Sequence, residues 1–200
     1  MQMMETTQFY NRQASELIKR YDNANMSSLH KLLLESIPQG GKVLDIGFGS
    51  GRDLQFLHDE GYDVWGMDPS DKFVKNARDR FLSKKSQFFR AEVPFNKDSI
   101  GLDAKFDAII GIAMWMHLKH NLYEDAVESV VSVAKRASKV LISYSQGSRA
   151  ANERYFEDVD LDYIVELFKS EGFSLFETTK SADSLNRDEL TWTTVVFKNY

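Results

Sequence analysis

The chain has 200 residues, 42% of them apolar and 28% charged, which suits one soluble domain with a core of its own. A net charge of −5 argues against non-specific binding to nucleic acid or to an acidic membrane surface. The absence of cysteine excludes disulfides, thiolate metal sites and a cysteine nucleophile, and no metal site is expected.

No segment nears the roughly 20 apolar residues that span a bilayer. Residues 1–9 are polar and lack the apolar stretch of a signal peptide, so a cytoplasmic enzyme is expected, as a monomer or homodimer. Residues 7–21 read as a polar, moderately amphipathic helix. Ser27 or Ser28 is placed to cap a second helix, with Leu29, Leu32, Leu33 and Ile37 on one face, and Pro38-Gln39-Gly40-Gly41 stops it. An apolar strand over 42–46 leads into glycines at alternate positions and a helix over 52–60, which Gly61 ends. A second strand over 64–67 ends at Asp68, and Ser70 caps a helix carrying Phe73, Val74, Ala77 and Phe81. Third and fourth strands are expected over 86–89 and 106–112, the latter with the buried run Ala108-Ile109-Ile110. A helix follows over 123–137, with Val127, Val130, Val131 and Ala134 inward, and then a strand over 140–144. Asp160 caps a helix over 161–171, closed by Gly172, and a long polar segment joins two last strands over 174–179 and 191–197.

Five strands alternating with helices imply a parallel sheet with helices on both faces, and the last two strands can pair antiparallel. The expected fold class is α/β: a Rossmann-like, doubly wound, mostly parallel seven-stranded sheet ending in an antiparallel hairpin. One domain is expected over 1–200, with a helical cap over 1–38 and the core over 39–200.

The run Val43-Leu44-Asp45-Ile46-Gly47-Phe48-Gly49-Ser50-Gly51-Arg52-Asp53 carries the chemistry. Glycines at alternate positions allow a tight turn and a close approach of ligand to backbone, because no Cβ intervenes. This run resembles the first motif of class I S-adenosylmethionine (SAM)-dependent methyltransferases. The dinucleotide fingerprint is spaced G-x-G-x-x-G instead. Asp68, at the end of the second strand, can accept from both hydroxyls of a ribose, at a spacing near the about 20 residues of a ribose acid. That feature is shared with dinucleotide enzymes and supports a nucleoside ligand.

The resemblance implies the strand order 3-2-1-4-5-7-6, SAM as cofactor and S-adenosylhomocysteine as product. It places Asp45 near the methionine amino group, and Gly47, Phe48, Gly49 and Gly51 along the cofactor's path. Asp53 is either a further cofactor contact or a charge favoured by the helix dipole. Pro69 flanks the ribose acid, Ala91-Glu92-Val93 lies where adenine is contacted, and Gly111-Ile112 ends the fourth strand at the switch point of the sheet. Glu92 sits one place later than the usual acid.

Methyl transfer needs alignment of the acceptor and exclusion of water more than it needs a catalytic triad, and none is visible. His117, in Met114-Trp115-Met116-His117-Leu118, is the candidate base or acceptor ligand, with a structural histidine as the alternative. Trp115 is either a pocket wall or core. Tyr10 and Tyr21 are candidate lid residues. Tyr144, Arg149 and Arg187 are candidates for the acceptor side, with arginines suited to an anion. Glu153, Glu157 and Asp188 are the acids that would otherwise pair with arginines there.

No Asp/Asn-Pro-Pro-aromatic sequence follows the fourth strand, and no cysteine can attack a cytosine. Two classes of DNA-methylating enzyme are thereby disfavoured. A small-molecule acceptor is expected, in the manner of small single-domain enzymes that modify metabolites, xenobiotics or metalloid anions. RNA or protein methylation by the same fold, a non-catalytic SAM-binding module and nicotinamide-dependent oxidoreduction remain the alternatives.

Overall fold

The computed structural model describes residues 2–149, 153–183, 185, 187 and 189–200. Seven strands make one sheet in the order β3-β2-β1-β4-β5-β7-β6. They are β1 (Lys42–Ile46), β2 (Asp63–Asp68), β3 (Phe88–Arg90), β4 (Phe106–Ile112), β5 (Ala134–Gly147), β6 (Phe173–Ala182) and β7 (Leu190–Asn199). Pairing is parallel from β3 through β5 and antiparallel for β5–β7 and β6–β7. The α/β class, the strand order and the antiparallel ending are as expected.

Side chains of successive strand residues alternate between faces, and here both faces are apolar. Leu44 and Ile46 of β1, Ile109 of β4 and Val140 and Ile142 of β5 join the core under α5 (Tyr123–Ser132) and α6 (Leu161–Ser170). Val43, Ala108, Ile110 and Leu141 join the opposite core. That core is covered by α1 (Gln2–Asp22), α2 (Ser27–Ser36), α3 (Arg52–Asp59) and α4 (Asp71–Arg80). The strand order reverses between β1 and β4. The connections after these two strands leave to opposite faces of the sheet and open a crevice at the strands' carboxyl ends.

Ser70 Oγ accepts from Phe73 N at 3.3 Å and Asp160 Oδ1 from Tyr163 N at 3.1 Å, so both expected caps are made. Two local expectations are corrected. Neither Ser27 nor Ser28 caps α2. Met26 takes the cap position with no side-chain bond, and Asn25 Oδ1 accepts from Ser27 N at 3.0 Å instead. The helix expected over 123–137 ends at Ser132, and β5 begins at Ala134. The carbonyl of Val133 accepts from Phe106 N at 2.9 Å, and Ala134 pairs with Phe106 in the sheet. Ladder bonds to β4 outweigh the helical spacing of Val127, Val130 and Ala134, which is no more than a weak prior. Among the described residues no helix is long and apolar enough to cross a membrane.

Candidate functional site

A cavity of about 520 Å³ opens at the crevice between β1 and β4. Its floor is the glycine turn. Gly47, Gly49 and Gly51 have φ of +73°, +56° and +80°, a region that only glycine enters freely. A Cβ on Gly49 would meet no protein atom within 4 Å, so the space above it belongs to the cavity. Gly49 N donates to Asp68 Oδ2 at 2.9 Å, and Ser70 N donates to Asp68 Oδ1 at 2.8 Å. Two backbone donors therefore orient the Asp68 carboxylate at the cavity wall. Burial nonetheless pushes its pKa up to about 7, against the pull of those two bonds.

Asp45, at 2% exposure, has an Oδ1 with no hydrogen-bond partner among the described residues. Its pKa is raised, first by burial and then by the charges of Asp53 and Asp68, with Arg52 opposing. A buried, unsatisfied acid one residue before the cavity-lining Ile46 suits a cationic ligand group. Asp53 is differently placed. Arg52 Nε and Nη2 donate to its two oxygens at 2.9 and 2.8 Å, and His30 Nε2 lies 2.8 Å from Oδ1. These bonds hold its pKa at about 2 although burial would raise it.

Gly47, Phe48, Gly49, Asp53, Asp68, Pro69, Ala91, Glu92, Val93 and Ile112 all line the cavity. Asp45, Gly51 and Gly111 do not. Gly51 is the left-handed residue that starts α3, and Gly111 lies against Trp115, whose Nε1 would be 3.0 Å from an added Cβ. The residues present fit SAM at the cradle over Gly49 and at the oriented Asp68 carboxylate on the cavity wall, and the orphaned Asp45 oxygen belongs to the residue next to the lining Ile46.

The far half of the cavity is made by Met116, His117, Ser143, Ser145, Arg149, Phe156, Leu185, Arg187 and Trp192. His117 Nδ1 lies 2.7 Å from the Tyr155 carbonyl, which can only accept, so Nδ1 carries the proton. Nε2 is then an acceptor, and the Tyr10 hydroxyl donates to it at 2.9 Å. Burial, with Arg154 and Arg149 nearby, lowers the His117 pKa to about 4. The ring is thus neutral near pH 7.

Tyr10 reaches His117 because α1 lies across the cavity. Tyr155 N donates to Thr6 Oγ1 at 2.8 Å, and Ser70 Oγ donates to Asn11 Oδ1 at 2.7 Å. Arg12 pairs with Glu153. Tyr10 and Tyr21 both line the cavity beneath this helix. The latches Thr6 and Asn11 carried no motif, and no sequence pattern marked them.

Trp115, weighed as pocket wall or core, and Tyr144, expected on the acceptor side, are both core. Trp115 is 1% exposed and packs edge-on to Tyr123 at 6.2 Å. Tyr144 is buried on the α5–α6 side, because Ser143 and Ser145 on either side of it line the cavity and strand side chains alternate. Of the acids weighed as partners for the arginines, Glu153 pairs with Arg12 and Asp188 lies outside the described residues. Arg187 is held instead by Asp183, at 3.0 and 2.5 Å.

A family model described as a methyltransferase domain matches residues 17–193. An uncharacterized methyltransferase of Geobacillus sp. (strain WCH70) is 24% identical over 166 residues, covering 72% of this chain and 74% of that one. Two solved structures share the fold. Magnesium protoporphyrin IX methyltransferase from Synechocystis PCC 6803, with bound S-adenosylhomocysteine, has a TM-score of 0.70 at 15% identity, over 96% of this chain and 97% of that one. Burkholderia thailandensis 1,6-didemethyltoxoflavin-N1-methyltransferase, with its substrate and S-adenosylhomocysteine bound, has a TM-score of 0.72 at 13% identity, over 98% and 88%. The chain belongs to this methyltransferase-domain family and is a class I SAM-dependent methyltransferase.

Proposed function

We propose that the protein methylates a small molecule in the cytoplasm, with Asp68 and the glycine turn binding the cofactor and His117 facing the acceptor. The observation that carries this reading is the continuity of one cavity from Gly49 to His117 and Trp192, lying beneath α1. A folded nucleic acid or protein would have to displace α1 and its bonds to Ser70 and Tyr155, whereas a small molecule fits beneath it. The net charge of −5 supports the same choice.

When bound, SAM supplies a methyl group on a sulfonium, which needs no further activation. The chain's own residues do the rest. Asp68 accepts the ribose hydroxyls, Asp45 balances the ammonium, and α1 excludes water. His117 Nε2 offers a lone pair that Tyr10 occupies in this structure and that the O–H or N–H of an acceptor can occupy instead. With a pKa near 4 it is a weak base, so its part is to hold and orient that proton, with transfer following as methylation acidifies the acceptor.

Assaying S-adenosylhomocysteine formation across small molecules, tRNA and proteins tests the acceptor class. Turnover confined to RNA or protein would reject the reading. His117→Ala is expected to leave cofactor affinity unchanged and to slow turnover by about 10²-fold or more. Turnover equal to wild type would make His117 a structural residue.

Asp68→Ala is expected to weaken SAM binding by about 1.5–3 kcal/mol, the scale of hydrogen bonds to a charged group. Because the carboxyl titrates near 7 and the anion is the binding form, affinity should fall as pH drops below 7, approaching about tenfold per unit. Calorimetry at pH 6 and 8 on wild type and Asp68→Asn checks this. A slope that persists in the asparagine variant assigns it to another group.

A further inference from the structure

Three arginines approach the acceptor half of the cavity, and their surroundings differ. Arg187 is already matched by Asp183, a carboxylate at 7% exposure. Asp183 also accepts from the Trp192 indole at 2.6 Å and from the backbone N–H groups of Leu185 and Arg187 at 2.9 and 3.1 Å. This saturated acid braces the hairpin wall and neutralises Arg187. Arg154 stacks on Phe9, Tyr10 and Phe156, under the N-terminal helix.

Among the described residues, the hydrogen-bond partners of Arg149 are uncharged. Its Nη2 donates to the Ser145 carbonyl and, at 2.7 Å, to Ser145 Oγ, and its guanidinium lies 4.3 Å over the Phe156 ring. Among the described residues no carboxylate lies within 4.0 Å of it, and its Nε and Nη1 donate to no protein acceptor. A partly buried guanidinium at a cavity wall, with donors unmatched among the described residues, favours an anionic ligand group. We propose that the methyl acceptor is an organic acid whose carboxylate is bound by Arg149. This deepens the small-molecule reading and rests on it.

The geometry accounts for the rest of such a molecule. Met116, in contact with Arg149, and Leu185 and Trp192 line the same cavity and give its carbon body an apolar surface. Ser145 fixes the guanidinium, so little side-chain entropy remains to be lost on binding. Burial and then the Arg187 charge lower the Arg149 pKa, Arg154 adds to them, and the Asp158 charge opposes without reversing the shift.

The test uses the full chain saturated with S-adenosylhomocysteine, titrated calorimetrically with benzoate and indole-3-acetate and with their methyl esters. Acids are expected to bind roughly ten- to a hundredfold tighter than esters. Arg149→Gln should abolish that preference while leaving ester and S-adenosylhomocysteine affinities unchanged, and Arg149→Lys should restore part of it. Acids that fail to bind, acids and esters that bind alike, or a preference that survives in Arg149→Gln would each overturn the proposal. Failure of S-adenosylhomocysteine itself to bind would overturn the cofactor assignment and this inference together. Cofactor binding without acid preference overturns the inference alone.

Discussion

Gly49→Val is expected to abolish cofactor binding while the domain still folds. Two effects act together. At φ +56° a β-branched residue is strained, by roughly 1–3 kcal/mol. More decisively, its side chain would fill the space over the turn, where a Cβ meets no protein atom within 4 Å. The Gly49 N–H also steers Asp68, so a shift of the turn misplaces the carboxylate proposed to meet the ribose. Calorimetry with S-adenosylhomocysteine should show affinity weakened by more than about a hundredfold, or about 3 kcal/mol. Gly49→Ala, adding one methyl, should fall between. A structure of the valine variant with cofactor seated normally above the side chain would refute the assignment of this space.

Trp115→Ala is expected to give the largest loss of stability, about 3–5 kcal/mol, because it empties the centre of the core between β4, α5 and α6. The indole contacts Tyr123 and Phe168, both fully buried, and lies against Gly111. For a domain of this size the melting temperature should fall by roughly 6–20 °C. Trp115 does not line the cavity, so the fraction that stays folded should bind cofactor with wild-type affinity. A melting temperature within about 2 °C of wild type, with the acceptor KM raised instead, would return Trp115 to the pocket wall.

These two residues mark where sequence reading succeeds and where it stops. The glycine turn is legible because its cause is local. Positive φ, alternate spacing, the strand before it and the helix after it are properties of a dozen adjacent residues. Caps at Ser70 and Asp160 are legible for the same reason, whereas the end of α5 is not. There, hydrogen bonding of Val133 and Ala134 to Phe106, far away in sequence, outweighs a helical apolar period that continues past Ser132.

The acceptor side is the least legible part. Tyr144, Ser143 and Ser145 share a strand, and only its register beside β7 decides that the serines meet the cavity and the tyrosine the core. Arg149 and Arg187 are alike in sequence. The buried Asp183 distinguishes them, and a partner four residues from Arg187 shows its hold only once the hairpin is folded. The latch of α1 joins residues as far apart as Thr6 and Tyr155.

By itself, then, the sequence determined the fold class, the cofactor, the glycine turn and the acid that closes β2, because each depends on short-range backbone geometry and on strand–helix alternation. The tertiary structure alone decided which aromatic residues are core, that His117 presents an unprotonated Nε2 to Tyr10, and which arginine has no carboxylate within ion-pair distance among the described residues. Those properties arise from contacts between distant segments, where burial and pairing, not residue type, set the charge and proton that a side chain offers.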